Sequence, residues 1–157
     1  MIRILILLFF NLSLFSDLVL EITESSNQPI KIAILQKNEN SFEGQEIINI
    51  ISNDLTRTGE FDVLSPDQLL SIPMNESEVI QRDWLLLDVD SIIFVETKQS
   101  EYALDINYSI FNVSYNETED KRRVLGLPDN IRQSSHYVSD GLYEFFFGIE
   151  GISSTKL

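Results

Sequence analysis

Two apolar periodicities alternate along this chain, and their order restricts the folds that it can adopt. Residues 30–35 are largely β-branched and apolar at every second position, which is the spacing of a β-strand. Residues 40–59 instead carry apolar side chains three and four positions apart, as a helix with one buried face does. Similar changes recur and predict the order β-β-α-β-α-β-β-(β)-α. This order favours a single α/β sandwich domain, with a mixed sheet of about five strands packed by two to three helices.

The helix over residues 40–59 has the clearest ends. Asn40, followed three residues later by Glu43, resembles a capping box, and Arg57 suits the negative C-terminal end. Gly59 stands where helices commonly end in the left-handed conformation. A second long helix is predicted from about Asn130 to Phe147, with Gly148 as its C-terminal cap.

The other elements follow from the same patterns. Strands are predicted at residues 18–23, 61–64, 91–95 and 104–110, with 91–95 central in the sheet because it is almost continuously apolar. Asn75 is predicted to cap a helix with Ile80, Trp84 and Leu87 on one face, so that Trp84 lies in the core. Residues 112–123 are polar and are predicted to form a loop, with at most a short edge strand at 124–125.

Residues 1–16 have the composition of an export signal. Arg3 supplies a positive charge, residues 4–10 are an unbroken apolar run, and the small residues Ser13 and Ser16 follow. The competing interpretation is an uncleaved membrane anchor. Since Asn11 interrupts the apolar stretch well short of the roughly 20 residues that span a bilayer, we expect cleavage after Ser16 and no direct membrane anchor afterwards.

The charge balance and the missing cysteines exclude several kinds of function. The formal net charge is −14, and it becomes −15 when Arg3 is removed with the signal. Such a chain is repelled by nucleic acid and attracted to basic partners. Without Cys, the chain has no disulfide, no thiolate chemistry and no acylated cysteine anchor. It also lacks a glycine-rich phosphate loop, so we expect no cofactor and no nucleic-acid partner.

The residues that invite a catalytic or metal-site interpretation lack the geometry for it. His136, Ser139 and Asp140 would lie at i, i+3 and i+4 on one helix, whereas a catalytic triad needs an exposed nucleophile and a third group that orients the histidine. Residues 88–90 contain two Asp but lack the further ligands and the Gly of a calcium loop. We therefore expect no enzyme, no catalytic residues and no metal site.

Three consecutive phenylalanines, Phe145, Phe146 and Phe147, end the last helix. They cannot all face inward on one helix. At least one is expected to be exposed or to be covered by something outside the domain.

Several short motifs also occur in a characteristic order. They are Leu20-Glu21-Ile22-Thr23, Gln28-Pro29-Ile30, Asn53-Asp54-Leu55 with Thr58-Gly59 and Phe61, Trp84 and Leu87 before Asp90-Ser91-Ile92-Ile93, the strand at 106–110, and the ending from His136-Tyr137-Val138-Ser139-Asp140 to Gly151. Together they resemble the N-terminal domain of the TolB family of the Tol-Pal system. The chain departs from the family pattern at Gln36-Lys37, where Pro-Phe is usual, at Asp88, where Gly is typical, and at Phe147, where Thr is usual.

The resemblance implies a fold and a domain division. The fold would be of the TolB N-terminal, anticodon-binding-like type. Residues 1–16 would be the signal peptide, residues 17–151 the α/β domain, and residues 152–157 the start of a linker to an absent β-propeller.

The resemblance also implies a function without chemistry. The protein would be periplasmic and would bind the C-terminal domain of a TolA-like partner through its mature N-terminus, serving outer-membrane integrity, cell division and macromolecule import. Carried over by position, the binding segment comprises Asp17, Leu18, Val19, Leu20, Glu21, Ile22, Thr23 and Glu24. A Pal-like lipoprotein would be a partner only if a propeller is present.

Alternatives remain open at the level of the sequence. Residues 18–23 can add to a partner's sheet edge or form an edge strand of their own domain. The protein can also be an independent periplasmic accessory domain for cell-wall synthesis or secretion assembly. A secreted hydrolase rests only on His136 and the acidic groups.

Overall fold

The computed structural model describes residues 28–37, 41–151 and 153–154. Its five strands are β1 (Ile30–Gln36), β2 (Phe61–Val63), β3 (Ser91–Gln99), β4 (Leu104–Asn112) and β5 (Glu117–Gly126). They form one mixed sheet in the order β2-β1-β3-β4-β5. β1 runs parallel to β2 and β3, whereas β4 is antiparallel to β3 and β5. The predicted α/β class, the five-stranded mixed sheet and the central position of β3 are confirmed.

Three α-helices accompany the sheet: α1 (Phe42–Thr58), α2 (Gln81–Leu86) and α3 (Ile131–Phe147). Single turns of 3₁₀ helix lie at Pro66–Gln68, Glu76–Glu78 and Pro128–Asn130. None of the helices in the described ranges is long and apolar enough to cross a membrane.

The C-terminal end of α1 is the predicted one, whereas its N-terminal cap differs from the prediction. Gly59 has a left-handed φ of 77°, as predicted. The N-terminal cap is Ser41, whose Oγ accepts a hydrogen bond from the Gly44 N–H at 2.9 Å. The predicted cap Asn40 lies outside the described residues. The helix begins one residue later than expected because Ser41 is the residue whose hydroxyl reaches the first free N–H groups.

Each face of the sheet has its own core. α1 and α3 cover one face, where Ile32, Ile51 and Leu142 are completely buried. The opposite face buries Phe94 and Trp84, so the predicted core position of Trp84 is confirmed.

The helix predicted after Asn75 is wrong as a single element. Asn75 caps only the 3₁₀ turn Glu76–Glu78, and α2 starts separately at Gln81. Between them Ile80 is extended, with φ −91° and ψ 90°, and it is 54% exposed instead of lying on the buried face. The Glu78 carboxylate accepts hydrogen bonds from the Met74 N–H and the Asn75 side chain, which closes the first turn upon itself.

The polar stretch predicted as a loop is also corrected, because most of it belongs to the ten-residue edge strand β5. Charged side chains that form ion pairs stand at positions of β5 where alternating apolar residues would have indicated a strand. Arg122 Nε lies 2.7 Å from Asp120 Oδ2, and Arg123 Nη2 lies 2.8 Å from Asp105 Oδ2. Asn116 makes the preceding turn with a positive φ of 55°.

Glu76 joins the 3₁₀ turn to the sheet. One of its carboxylate oxygens lies 2.7 Å from Lys37 Nζ, and the other accepts a hydrogen bond from Ser109 Oγ at 2.6 Å. Burial raises the pKa of Glu76, but the hydrogen bonds from Lys37 and Ser109 outweigh it, so that the pKa lies below its ordinary value of 4.5.

The lowered pKa of Glu76 predicts a pH-dependent contribution to stability. Because the unfolded chain binds this proton more tightly, the contribution is complete above pH 4.5 and disappears as the pH falls through the lower folded pKa. Glu76→Gln should lower the free energy of unfolding by about 1 kcal/mol at roughly pH 7. Urea titrations at roughly pH 7 and pH 3 measure this, with Glu101→Gln as the exposed control. A difference that does not shrink in acid would contradict the assignment.

Candidate functional site

The predicted binding segment, Asp17 to Glu24, lies outside the described residues, and so do residues 1–16. The structure does show the surface around Gln28 and Pro29, the first described residues. Gln28 and Pro29 lead directly into β1. They line a groove of about 820 Å³ at the end of the sheet where β1 and β3 begin, which we call the incoming groove.

The incoming groove is predominantly acidic. Its lining includes Asp62, Asp88, Asp90 and Glu119. Asp90 Oδ2 accepts a hydrogen bond from the Lys31 backbone N–H at 2.8 Å, which ties the start of β3 to β1. A groove of this charge at Gln28 and Pro29 attracts basic groups.

The backbone of Asp88 is left-handed, with a φ of 59°. It stands where the family pattern has Gly, and Asp tolerates this conformation better than most residues do. Residues 88–90 turn from α2 into β3. No group of three or more acidic or histidine side chains that could hold a metal forms among the described residues.

An aromatic cluster forms one rim of the incoming groove. The ring centroids of Phe146 and Phe147 lie 5.4 and 5.5 Å from that of Phe61, in edge-to-face arrangements. Tyr143 stacks at 4.8 Å on Phe147. Phe145, Phe146 and Phe147 are each half-buried, which agrees with the prediction that the three cannot all be buried. They leave apolar surface next to Gln28 and Pro29.

His136 and Ser139 meet a carboxylate that the sequence analysis did not consider. Asp54 of α1 has a side chain only 7% exposed, and its Oδ2 lies 2.6 Å from His136 Nδ1. Ser139 Oγ donates to the same oxygen at 2.9 Å. His136 and Ser139 are 82 and 85 positions away from Asp54 in the sequence. The only sequence signal for Asp54 was the family motif Asn53-Asp54-Leu55, to which it belongs.

This arrangement is a structural clamp between α1 and α3. In a catalytic triad the histidine lies between the serine and the carboxylate, whereas here both side chains hydrogen-bond to the carboxylate. Ser139 is also completely buried, so its hydroxyl is not the exposed nucleophile that a triad needs.

Asp140 was the third residue of the rejected triad, and it has another role. Its two carboxylate oxygens accept hydrogen bonds from the backbone N–H groups of Ser153, at 2.6 Å, and Ser154, at 2.9 Å. Gly151 permits this return, because a Cβ there would lie 2.6 Å from the Asp140 Cα. Residues 153–154, part of the expected linker, therefore lie against α3.

Asp140→Ala should release residues 153–154 without unfolding the domain. The two lost bonds involve partly buried groups near one end of the described chain, so we expect a loss of no more than about 1.5 kcal/mol in global stability. The Ser153 and Ser154 amides should exchange hydrogen markedly faster. Hydrogen-exchange NMR measures this, and Asp129→Ala, an exposed carboxylate at the other end of α3, is the control. Unchanged exchange at both amides would show that other contacts hold the segment.

Comparisons with known proteins agree on one family. Residues 18–118 match the family model described as the TolB amino-terminal domain. The Tol-Pal system protein TolB of Pseudomonas aeruginosa is 32% identical over 143 residues, which make up 88% of this chain and 32% of that protein. The chain thus spans about a third of the length of the curated relatives that it matches.

Solved structures show the same likeness. The crystal structure of TolB from Acinetobacter baumannii superposes with a TM-score of 0.65 at 26% identity, over 81% of this chain and 30% of that one. The C-terminal domain of LpoB from Salmonella enterica superposes with a TM-score of 0.50 at 12% identity, over 64% of this chain and 84% of that one, which shows a shared fold alone.

Proposed function

The chain belongs to the TolB amino-terminal domain family, and from this premise we propose that it is a non-catalytic binding component of a Tol-Pal envelope system. It acts in the periplasm after export directed by residues 1–16. Its role there is to support outer-membrane integrity, cell division and macromolecule import.

The partner is the C-terminal domain of a TolA-like protein, and the binding segment is Asp17 to Glu24. Leu18, Leu20 and Ile22 alternate along this segment, so an extended conformation can add to the edge of a partner's sheet. Three acidic residues, Asp17, Glu21 and Glu24, carry its charge. The acidic incoming groove, which Gln28 and Pro29 line a few positions further along the chain, attracts a basic partner. The acidic lining of this groove is the observation in the structure that best supports the proposal.

The surroundings of Asp54 support a role without catalysis. The carboxylate binds both His136 and Ser139 in a clamp between two helices, which leaves neither group arranged for nucleophilic attack. Binding of a Pal-like lipoprotein would depend on a propeller, and the matched relatives are about three times as long as the stretch that this chain shares with them.

Calorimetric titration with the TolA C-terminal domain of the same organism tests the proposal. Deletion of residues 17–24 should weaken binding at least about tenfold, which is 1.4 kcal/mol. Binding by the intact protein should also weaken as salt is raised, because the contact is between opposite charges.

The matched control replaces residues 17–24 by the same amino acids in scrambled order. This keeps the charge of the segment but destroys the alternation of Leu18, Leu20 and Ile22. If the scrambled segment binds as well as the native one, charge alone carries the interaction. Undiminished binding after the deletion would move the site elsewhere and refute the assignment.

A further inference from the structure

A second concave surface lies beside α1, away from the incoming groove. It has a volume of about 680 Å³ and runs between α1 and the segment that follows β2. It shares no lining residue with the incoming groove. We call it the α1 trough.

One wall of the α1 trough is a row of uncharged polar side chains on α1. It consists of Gln45, Asn49, Ser52, Asn53 and Thr56. Gln45, Asn49 and Asn53 are four residues apart and therefore lie in one line along the helix. Gln45 Nε2 donates to Asn49 Oδ1 at 3.1 Å, which orients the two amides side by side. Carboxamides offer a donor and an acceptor together, which is the pattern of a peptide group.

The opposite wall is apolar. It is formed by Val63, Leu64, Pro66, Leu69 and Ile72. Ile72 is 61% exposed, although it is a large apolar side chain. An occupant must therefore present apolar side chains to one wall and hydrogen-bonding groups to the other.

None of the described residues that line the α1 trough is charged, in a chain of which 23% is charged. A charged ligand would lose its hydration there without gaining a counter-ion. The described lining contains no aromatic residue either, so it offers no face on which a sugar ring or a base could stack. These two observations favour a neutral peptide over a nucleotide, a glycan or an acidic or basic peptide.

The edge of β2 supplies the backbone partners that an extended peptide needs. β2 is the end strand of the described sheet. Glu60 and Leu64 hydrogen-bond to β1, through Ile30 N–H to Glu60 C=O at 2.8 Å and Leu64 N–H to Ile32 C=O at 2.9 Å. Successive residues of a strand point their backbone groups to opposite sides, so the N–H and C=O groups of Val63 point away from β1, and Val63 lines the trough.

We propose that the α1 trough binds an uncharged, extended peptide segment of a partner protein, which adds to β2, the end strand of the described sheet. The row of amides from residue 45 to 56 is about 16 Å long at 1.5 Å per residue. This length accommodates about five residues of an extended strand. The site is independent of residues 17–24 and of the TolA-like partner.

A titration of ¹⁵N-labelled protein with three capped peptides tests this proposal. The first is Ser-Val-Thr-Val-Ser, and the other two replace its central Thr by Glu or by Lys. The neutral peptide should shift the amide signals of Val63, Leu64, Asn49 and Asn53, and it should bind at least about tenfold more tightly than either charged analogue. A version methylated on the central backbone nitrogen should lose binding, because strand addition uses that N–H group.

Two protein variants complete the experiment. Asn53→Glu places a charge on an exposed position of the amide wall, so the fold is retained while the affinity for the neutral peptide falls. Glu46→Gln, on an exposed part of α1 outside the trough, should leave binding unchanged. The proposal is overturned if no shifts occur at about 1 mM peptide, or if the charged or methylated peptides bind equally well. Contacts between residues 17–24 and Val63 would also overturn it, because the occupant would then be the chain's own segment.

Discussion

Replacing Phe61 by Ala is expected to lower the free energy of unfolding by about 4 kcal/mol. Phe61 is 3% exposed, and its ring is the centre on which Tyr143, Phe146 and Phe147 converge. Its removal therefore opens a cavity and also breaks edge-to-face ring contacts between β2 and the end of α3. Urea unfolding followed by the fluorescence of Trp84, the single tryptophan of the chain, measures the loss.

Phe42 provides a control of the same residue type. It is 81% exposed at the start of α1, so Phe42→Ala should change stability by no more than about 0.5 kcal/mol. If Phe61→Ala cost no more than this control, the aromatic cluster would not hold α3 against the sheet. The half-buried phenylalanines would then need another explanation.

Replacing Asp54 by Ala is expected to lower the free energy of unfolding by about 3 kcal/mol. The substitution removes the shared acceptor of His136 and Ser139 and leaves the completely buried Ser139 hydroxyl with only the Ser135 carbonyl, at 3.1 Å. It also breaks the polar connection between α1 and α3. Urea unfolding again supplies the measurement.

The neighbouring Asn53 is exposed and gives a matched control, since Asn53→Ala leaves the clamp intact. Asp54→Asn should be milder than Asp54→Ala, because one carbonyl oxygen remains to accept a hydrogen bond. A loss below about 1 kcal/mol for Asp54→Ala would contradict the clamp, because hydrogen bonds to a buried charge are worth more than that. Hydrolysis of any ester substrate that depended on Ser139 would contradict the non-catalytic proposal.

The elements that could be predicted are those whose signals are local. α1 and α3 carry their apolar stripes and their terminal glycines within a few turns of sequence, so Gly59 and Gly148 mark their ends correctly. The central strand β3 is apolar because both of its faces are covered. The left-handed backbone of Asp88 is also local, because it depends on a single turn.

The elements that were wrong depend on partners elsewhere in the fold. β5 lies at the edge, where Asp120 and Arg122 pair with each other and Arg122 also reaches Glu144 of α3. No apolar alternation remains to reveal the strand. Ile80 has the right spacing for a buried helical face, but its extended backbone separates the 3₁₀ turn Glu76–Glu78 from α2.

The candidate site also contains residues that could be predicted from the sequence and partners that could not. His136, Ser139 and Asp140 could be chosen from the sequence because they are close together on α3. Their true partners could not, because Asp54 approaches from a different helix and residues 153–154 return along a path set by Gly151. The acidic character of the incoming groove likewise arises from residues of three different segments, β2, the turn at 88–90 and β5.

The different attachments of β1 and of residues 153–154 determine how the domain would respond to mechanical tension. β1 is held along its length by three register pairs with β2 and five with β3, which a pull along the strand would have to shear together. Residues 153–154 are held on α3 by the two hydrogen bonds to Asp140. A pull between β1 and residues 153–154 would therefore first break the two hydrogen bonds to Asp140 and detach residues 153–154 from α3. The strand pairs of β1 would bear the force only after that, so the chain would lengthen before the sheet began to unfold.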